Sequence, residues 1–167
     1  TEGIPEHGYL YNIPYRDGMA DDYFSTRWFV NTWNMLFPDK KVTGVKEIAL
    51  RASNGDNNAQ SLFENFASNF VEFITPFLLN FKPEKLIIGG NIAKASDFFL
   101  DNIQSQLEKL NLITKIDICR LWDMSPLIGS AIYTSNILKN MENTKEEKQK
   151  LRRYLDDIYT RDEASQL

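Results

Sequence analysis

Gly89, Gly90 and Asn91 close the run PEKLIIGGNI (83–92), and they are the residues best able to bring bare backbone to a ligand. After an apolar strand, two glycines and an asparagine let the main chain approach a flat or anionic molecule with no Cβ in the way. They do so at the strand end where open α/β sheets bind ligands. The same pair also serves as a plain tight turn, and both readings stand on these residues alone. A second small-sided stretch surrounds Gly129, just after Ser125-Pro126, a good N-cap and first-position pair for a helix. Among the acids, Glu6 reads as a surface carboxylate, and Asp21 supplies favourable charge to a helix start. His7 is of a residue type that suits acid–base work, yet in a glycine-flanked start it reads as a plain polar residue.

These candidates need elements to hold them. Residues 1–20 carry scattered glycine and proline with one short strand expected at Leu10–Tyr15, and a profile of that kind is an irregular segment that hosts sites. The stretch 21–37 opens with acids, repeats apolar residues at helical spacing and stops before Pro38, which predicts one helix with a heavy aromatic face. Val45, Ile48, Ala49 and Ala52 predict a short helix ended by Asn54-Gly55, and Asp56 is placed to cap the next. That next helix carries the stripe Ala59, Leu62, Phe66, Phe70, Phe73 and Phe77. At about 20 residues it would be roughly 30 Å long, and Pro76 should kink or end it near Thr75. Helical spacing makes the phenylalanine stripe ordinary core rather than a cofactor box. Lys85–Ile88 reads as a buried inner strand, Ser96 as the cap of a helix through Phe99, Ile103, Leu107 and Leu110, and Lys115–Leu121 as a second strand parallel to the first. Thr144 and Glu147 fit a capping box for a charged last helix. The expected organisation is one domain over 1–167: a loop and strand at 1–20, a core at 21–141 and the charged terminal helix at 142–167.

Composition narrows the classes of function. With 43% hydrophobic and 13% aromatic residues the chain can bury a real core. A formal net charge of -4 and a pI near 5.1, with no basic cluster interleaved with aromatics, argue against nucleic-acid binding by this segment. No apolar run reaches the roughly 18 residues of a membrane span, and the start lacks the regions of a signal peptide, so the expected address is the cytoplasm. One cysteine, Cys119, excludes an internal disulfide, and with one histidine the chain cannot build a usual Cys/His zinc site. Tyr23, Phe24, Trp28, Phe29, Trp33 and Phe37 amount to more aromatic surface than one helix face can bury, which predicts self-association as a homodimer.

Four features in one order carry a resemblance. ALRASNGDNNA (49–59), the long helix after it, FKPEKLIIGGNI and MSPLIGSAIY together resemble the carboxyl-terminal lobe of the ROK family of sugar kinases and sugar-responsive repressors. The resemblance runs from about Glu6 to Leu138. It implies an α/β fold: the carboxyl-terminal lobe of an actin-like (ribonuclease H-like) ATPase, helix-rich with a small sheet. Family members carry a sugar-contacting E-x-G-H segment and then E-x-Y-x-S, to which Glu6-His7-Gly8-Tyr9 and Asp21-Asp22-Tyr23-Phe24-Ser25 are similar. Glu6, Tyr9 and Asp21 would therefore line the sugar side, with Asp21 one methylene shorter than the family's glutamate. Tyr9 stands where the family has histidine, or, with three residues inserted, Asn12 does. Gly89, Gly90, Asn91 and Gly129 would line the nucleotide side, with ATP and magnesium as cofactors.

The family's zinc cysteines are not found, so zinc is not expected. Neither the phosphate-binding loop nor the catalytic aspartate of ROK kinases is found in these residues. The chain is thus expected to be one lobe of a longer protein, inactive alone, whose partners are sugar, ATP and its own amino-terminal lobe. The activity implied is ATP-dependent phosphorylation of a hexose hydroxyl. The alternative is the sugar-sensing domain of a ROK-type transcriptional regulator.

Overall fold

A computed structural model describes Pro5, residues 7–121 and residues 124–140, with side chains to 137. The chain divides into two compact units, 1–123 and 124–167. In the first, the order is β1 (Pro14–Tyr15), β2 (Gly18–Met19), α1 (Ala20–Tyr23), α2 (Thr26–Leu36), a 3-10 turn (Pro38–Lys40), α3 (Val45–Ser53) and α4 (Asn57–Phe81). Then follow β3 (Lys85–Ile88), a 3-10 helix (Asn91–Phe98), α5 (Leu100–Lys109) and β4 (Lys115–Ile118). In the second unit, α6 spans Ser125–Asn140, and the expected terminal helix lies outside the described residues. The architecture is a helix-rich α/β arrangement with little sheet: an antiparallel hairpin of β1 and β2, and a parallel pair of β3 and β4 in register Lys85↔Lys115 to Ile88↔Ile118.

The core forms where the apolar faces of α2, α3, α4 and α5 meet. Phe29, Trp33, Ile48, Phe63, Ile103 and Leu107 are all at most 1% exposed. Phe29 packs on Phe63 and Phe66 at 4.9 and 5.0 Å between ring centres, and Phe66 meets Phe99 edge-on at 5.1 Å. These are the offset geometries that the ring quadrupole favours. Asp56 caps α4 as expected, its carboxylate accepting from the amides of Asn58 and Ala59, and the phenylalanine stripe is core. The parallel pairing of β3 with β4 is likewise as expected.

Five expectations need correction. The helix over 21–37 is two helices, because Ser25 is extended (φ -109, ψ 164). The break turns Phe24 onto Tyr15, Phe70 and Phe73, at 5.3, 5.6 and 5.0 Å between ring centres, so this tertiary burial outweighs local propensity. Of the segment's aromatics, Phe29 and Trp33 are buried, and Tyr23, Phe24, Trp28 and Phe37 are half-buried. The strand at Leu10–Tyr15 shrinks to two residues, since the Ile13 amide turns back to the Leu10 carbonyl (3.1 Å). Helix α4 runs through Pro76 to Phe81: the proline lies on the exposed face, where water can solvate the carbonyl it orphans, while Ile74 and Leu78 keep the buried face apolar. Ser96 follows a kink at Ala95 (φ -106, ψ 17) within the 3-10 segment rather than capping α5, and Phe99, 1% exposed, holds that N-cap position instead. Finally, β3 is no buried inner strand. Among the described residues of the first unit it has one partner strand, and Ile87 is 62% exposed while Ile88 is buried.

Candidate functional site

The end of β3 is built to present backbone. Pairing persists to its last residue, whose carbonyl accepts from the Cys119 amide (2.9 Å). Gly90 then takes φ 74 and ψ -171, a conformation essentially reserved for glycine, and starts the 3-10 helix as its N-cap. Ile92, Ala93 and Ala95 anchor that helix in the core, which leaves Gly89, Gly90 and Asn91 exposed above them. The Asn91 side-chain oxygen accepts from Lys94 Nζ (2.8 Å).

Two cavities flank this turn. One, of about 300 Å³, is lined by Gly89 on one side and by Tyr11 and Asp21 on the other, over a floor that includes Phe66, Phe70 and Phe73 of α4. Asp21 sits in the first turn of α1; its amide donates to the Tyr11 carbonyl (2.9 Å) and its carboxylate accepts from the Arg27 guanidinium. That ion pair is exposed and fixes little on its own. Asp22, rather than Asp21, does the local structural work, accepting the Met19 amide ahead of the helix (3.0 Å). The chemistry available here is one carboxylate that can accept hydroxyl hydrogen bonds beside an apolar floor that suits a ring face.

The other cavity, of about 600 Å³, is lined by Asn91 and Lys94 together with Thr26, Gly44 and Lys46. Three elements begin at its wall: α2 at Thr26, α3 after its N-cap Gly44, and at Asn91 the 3-10 segment, which kinks at Ala95. None of the three N-cap residues makes a side-chain capping bond, though at the start of α3 the Glu47 carboxylate accepts from the Thr43 amide and hydroxyl (2.8 Å each). Helix starts carry partial positive charge, and with two lysines the wall favours an anion. Of these residues, sequence reasoning named Asn91 alone. The Gly44 N-cap before the Val45 helix is the one local signal that pointed to the rest.

The hairpin that delivers Asp21 is clamped to α4. Tyr15 Oη donates to Glu72 Oε2 (2.8 Å), Arg16 Nη2 donates to the same oxygen (2.8 Å), and the Arg16 guanidinium lies 5.1 Å from the centre of the Tyr15 ring. Burial, and then the bond to Glu72, pushes the Tyr15 phenol up to about 12. The bonds from Tyr15 and Arg16 hold the Glu72 carboxyl below its usual range.

Asp21 and Gly89 thus share one cavity, and Asn91 lines the next. Tyr9 stands outside both, stacked between His7 and Tyr11. Glu6 lies outside the described residues. Gly129 is in α6 of the second unit, one turn inside the helix rather than at its open start, so its amide belongs to the helical ladder. Among the described residues, no group of three or more His, Cys, Asp and Glu is placed to hold a metal ion, and no helix is long and apolar enough to cross a membrane. A third cavity of about 610 Å³ opens at the opposite end of the parallel strands, beside Lys82 and Ile113, and no expected site residue lines it.

The sequence profile of the ROK family matches residues 16–135, from the β1–β2 turn into α6 and thus most of the chain. No curated protein matches it.

Proposed function

The chain belongs to the ROK family, and on that premise we propose that it forms the carboxyl-terminal lobe, actin-like in fold, of an ATP-dependent sugar kinase. The observation that carries this reading is the placement of the Gly89-Gly90-Asn91 turn between a carboxylate-bearing cavity and a basic one. In this reading Asp21 accepts hydrogen bonds from sugar hydroxyls over the phenylalanine floor. Exposed backbone at Gly89 and Gly90 brings the two ligands together, and Asn91, Lys46 and the start of α3 hold the anionic one. Glu6 and Gly129 keep the sugar-side and nucleotide-side roles that the family resemblance implies.

When bound, ATP supplies the γ-phosphoryl group and magnesium neutralises its charge. The lysine-lined wall fits the phosphates, and the magnesium would be held between those phosphates and carboxylates of the amino-terminal lobe. That lobe would also bring the general base, so residues 1–167 alone would turn over no ATP. Self-association as a homodimer in the cytoplasm completes the proposal. The test is ADP release by the full-length protein across a panel of hexoses. Sugar-dependent release weakened by Asp21→Asn is expected, and no release with any hexose would overturn the kinase in favour of a sugar-sensing regulator or a binder.

A further inference from the structure

The segment leading to Asp21 carries a ladder of aromatic rings. His7, Tyr9 and Tyr11 alternate along it. Their ring centres lie 5.6 Å apart from His7 to Tyr9, with planes 23° apart, and 5.0 Å apart from Tyr9 to Tyr11. Leu10 and Ile13 of the same segment turn inward and pack on the cluster of Tyr15, Ala20 and Phe73. The rings turn outward, with Tyr11 57% and Tyr9 42% exposed. Stacking on one another removes part of their apolar surface from water and leaves the ends and edges of the ladder open.

The ladder is joined to the candidate site. Tyr11 lines the cavity that holds Asp21 and Gly89, and its carbonyl takes the Asp21 amide, so the backbones that carry ring and carboxylate are tied together by one hydrogen bond. That cavity, about 300 Å³, lies at the small end of the range for small-molecule sites. It has room for one ring and little more. A second ring attached to the first must therefore leave past the lip, and the lip carries Tyr11 with Tyr9 behind it.

We propose that His7, Tyr9 and Tyr11 form a second subsite, continuous with the Asp21 cavity, that stacks on a ring substituent of the sugar. The ligand class is then a glycoside bearing a second ring, not a free hexose. This rests on the sugar-binding reading above and narrows it. It also gives Tyr9 a role outside the cavity, as the second rung, in place of a direct contact to the sugar hydroxyls.

The experiment is calorimetric titration of the full-length protein with the methyl and phenyl β-glycosides of whichever hexose it binds best. One good ring-on-ring contact is worth roughly two- to tenfold in affinity, so the phenyl glycoside should bind tighter by about that factor. The preference should survive Tyr11→Phe, shrink in Tyr9→Ala, and vanish in Tyr11→Leu, which keeps bulk without an aromatic face. Equal affinity for the two glycosides, or a phenyl preference that persists in Tyr11→Leu, overturns this inference while the sugar-binding reading stands. Failure of the wild-type protein to bind any hexose or glycoside overturns both.

Discussion

Replacing Gly90 by alanine separates what the turn after β3 needs for its shape from what it offers a ligand. Gly90 sits at φ 74 and ψ -171, where an L side chain is strained whatever the space around it, although a Cβ built there would meet nothing within 4 Å. The cost is therefore purely conformational, about 1–3 kcal/mol for a backbone held in that region. Gly89→Ala is the matched control. Gly89 has no positive φ, and its added Cβ would meet only the Cys119 Cβ at 3.5 Å, an ordinary contact. Restricting the unfolded chain should make that variant neutral or stabilise it by up to about 1 kcal/mol. In urea, with a slope of about 2 kcal/mol per molar, Gly90→Ala should lower the midpoint by roughly 0.5–1.5 M and Gly89→Ala should not lower it. Amide exchange at Ile92 and Ala93, which follow the turn, should speed up in the first variant alone. Equal midpoints for Gly90→Ala and wild type, or an equal loss in both variants, would refute the reasoning.

The clamp between hairpin and α4 should be visible in pH dependence. Because the Glu72 carboxyl is held below its usual range, its contribution is present above the unfolded value near about 4.3. That contribution is lost as pH falls through the lower folded value, and Glu72→Gln should flatten this part of an acid-unfolding curve. Tyr15 has the opposite sign: its raised phenol favours the folded state up to about pH 10. That advantage disappears as pH climbs toward about 12, so Tyr15→Phe should remove a late phase from an ultraviolet tyrosinate titration, while the Tyr23 phenol, also raised by its bond to Asp17, still contributes. Ser25 holds the N-cap position of α2, yet its hydroxyl makes no capping bond and is buried without a partner. Ser25→Ala should therefore be neutral or stabilising by thermal melt, where a working cap would cost about 1 kcal/mol.

Local chemistry is what the sequence made readable. Asp56 before a helical stripe, Asn54-Gly55 after a short one, and two apolar runs separated by a helix each report on neighbours a few residues away, and each element formed where expected. The failures share one cause. Ser25 breaks a well-patterned helix because Phe24 is wanted by Tyr15 and Phe73, residues distant in the chain. Pro76 does not end α4 because the helix turns that residue toward water while its other face stays in the core. Ile87 is 62% exposed because no helix of the first unit's described residues packs on that face of the two-stranded sheet, a fact about what is packed rather than about the strand.

The same division runs through the site, and it explains why the basic cavity was overlooked. Gly90 is legible on its own, since a glycine pair ending a strand already implies a conformation that other residues avoid. Asp21 is not, because nothing beside it distinguishes a ligand-facing acid from one that favours a helix start. Only family resemblance singled it out, and only the fold sets it across a cavity from Gly89. Thr26, Gly44, Lys46 and Lys94 belong to three helices whose starts meet at one wall. Each is unremarkable in its own segment: a first-turn threonine, an N-cap glycine, two surface lysines. Their shared sign of charge becomes meaningful only when the helix starts converge, because partial charges at helix ends act within about one turn of the terminus. A site assembled from termini is therefore written in the packing of helices against one another, and the residues that fix that packing are Phe29, Ile48 and Ala93, all fully buried and none of them at the site.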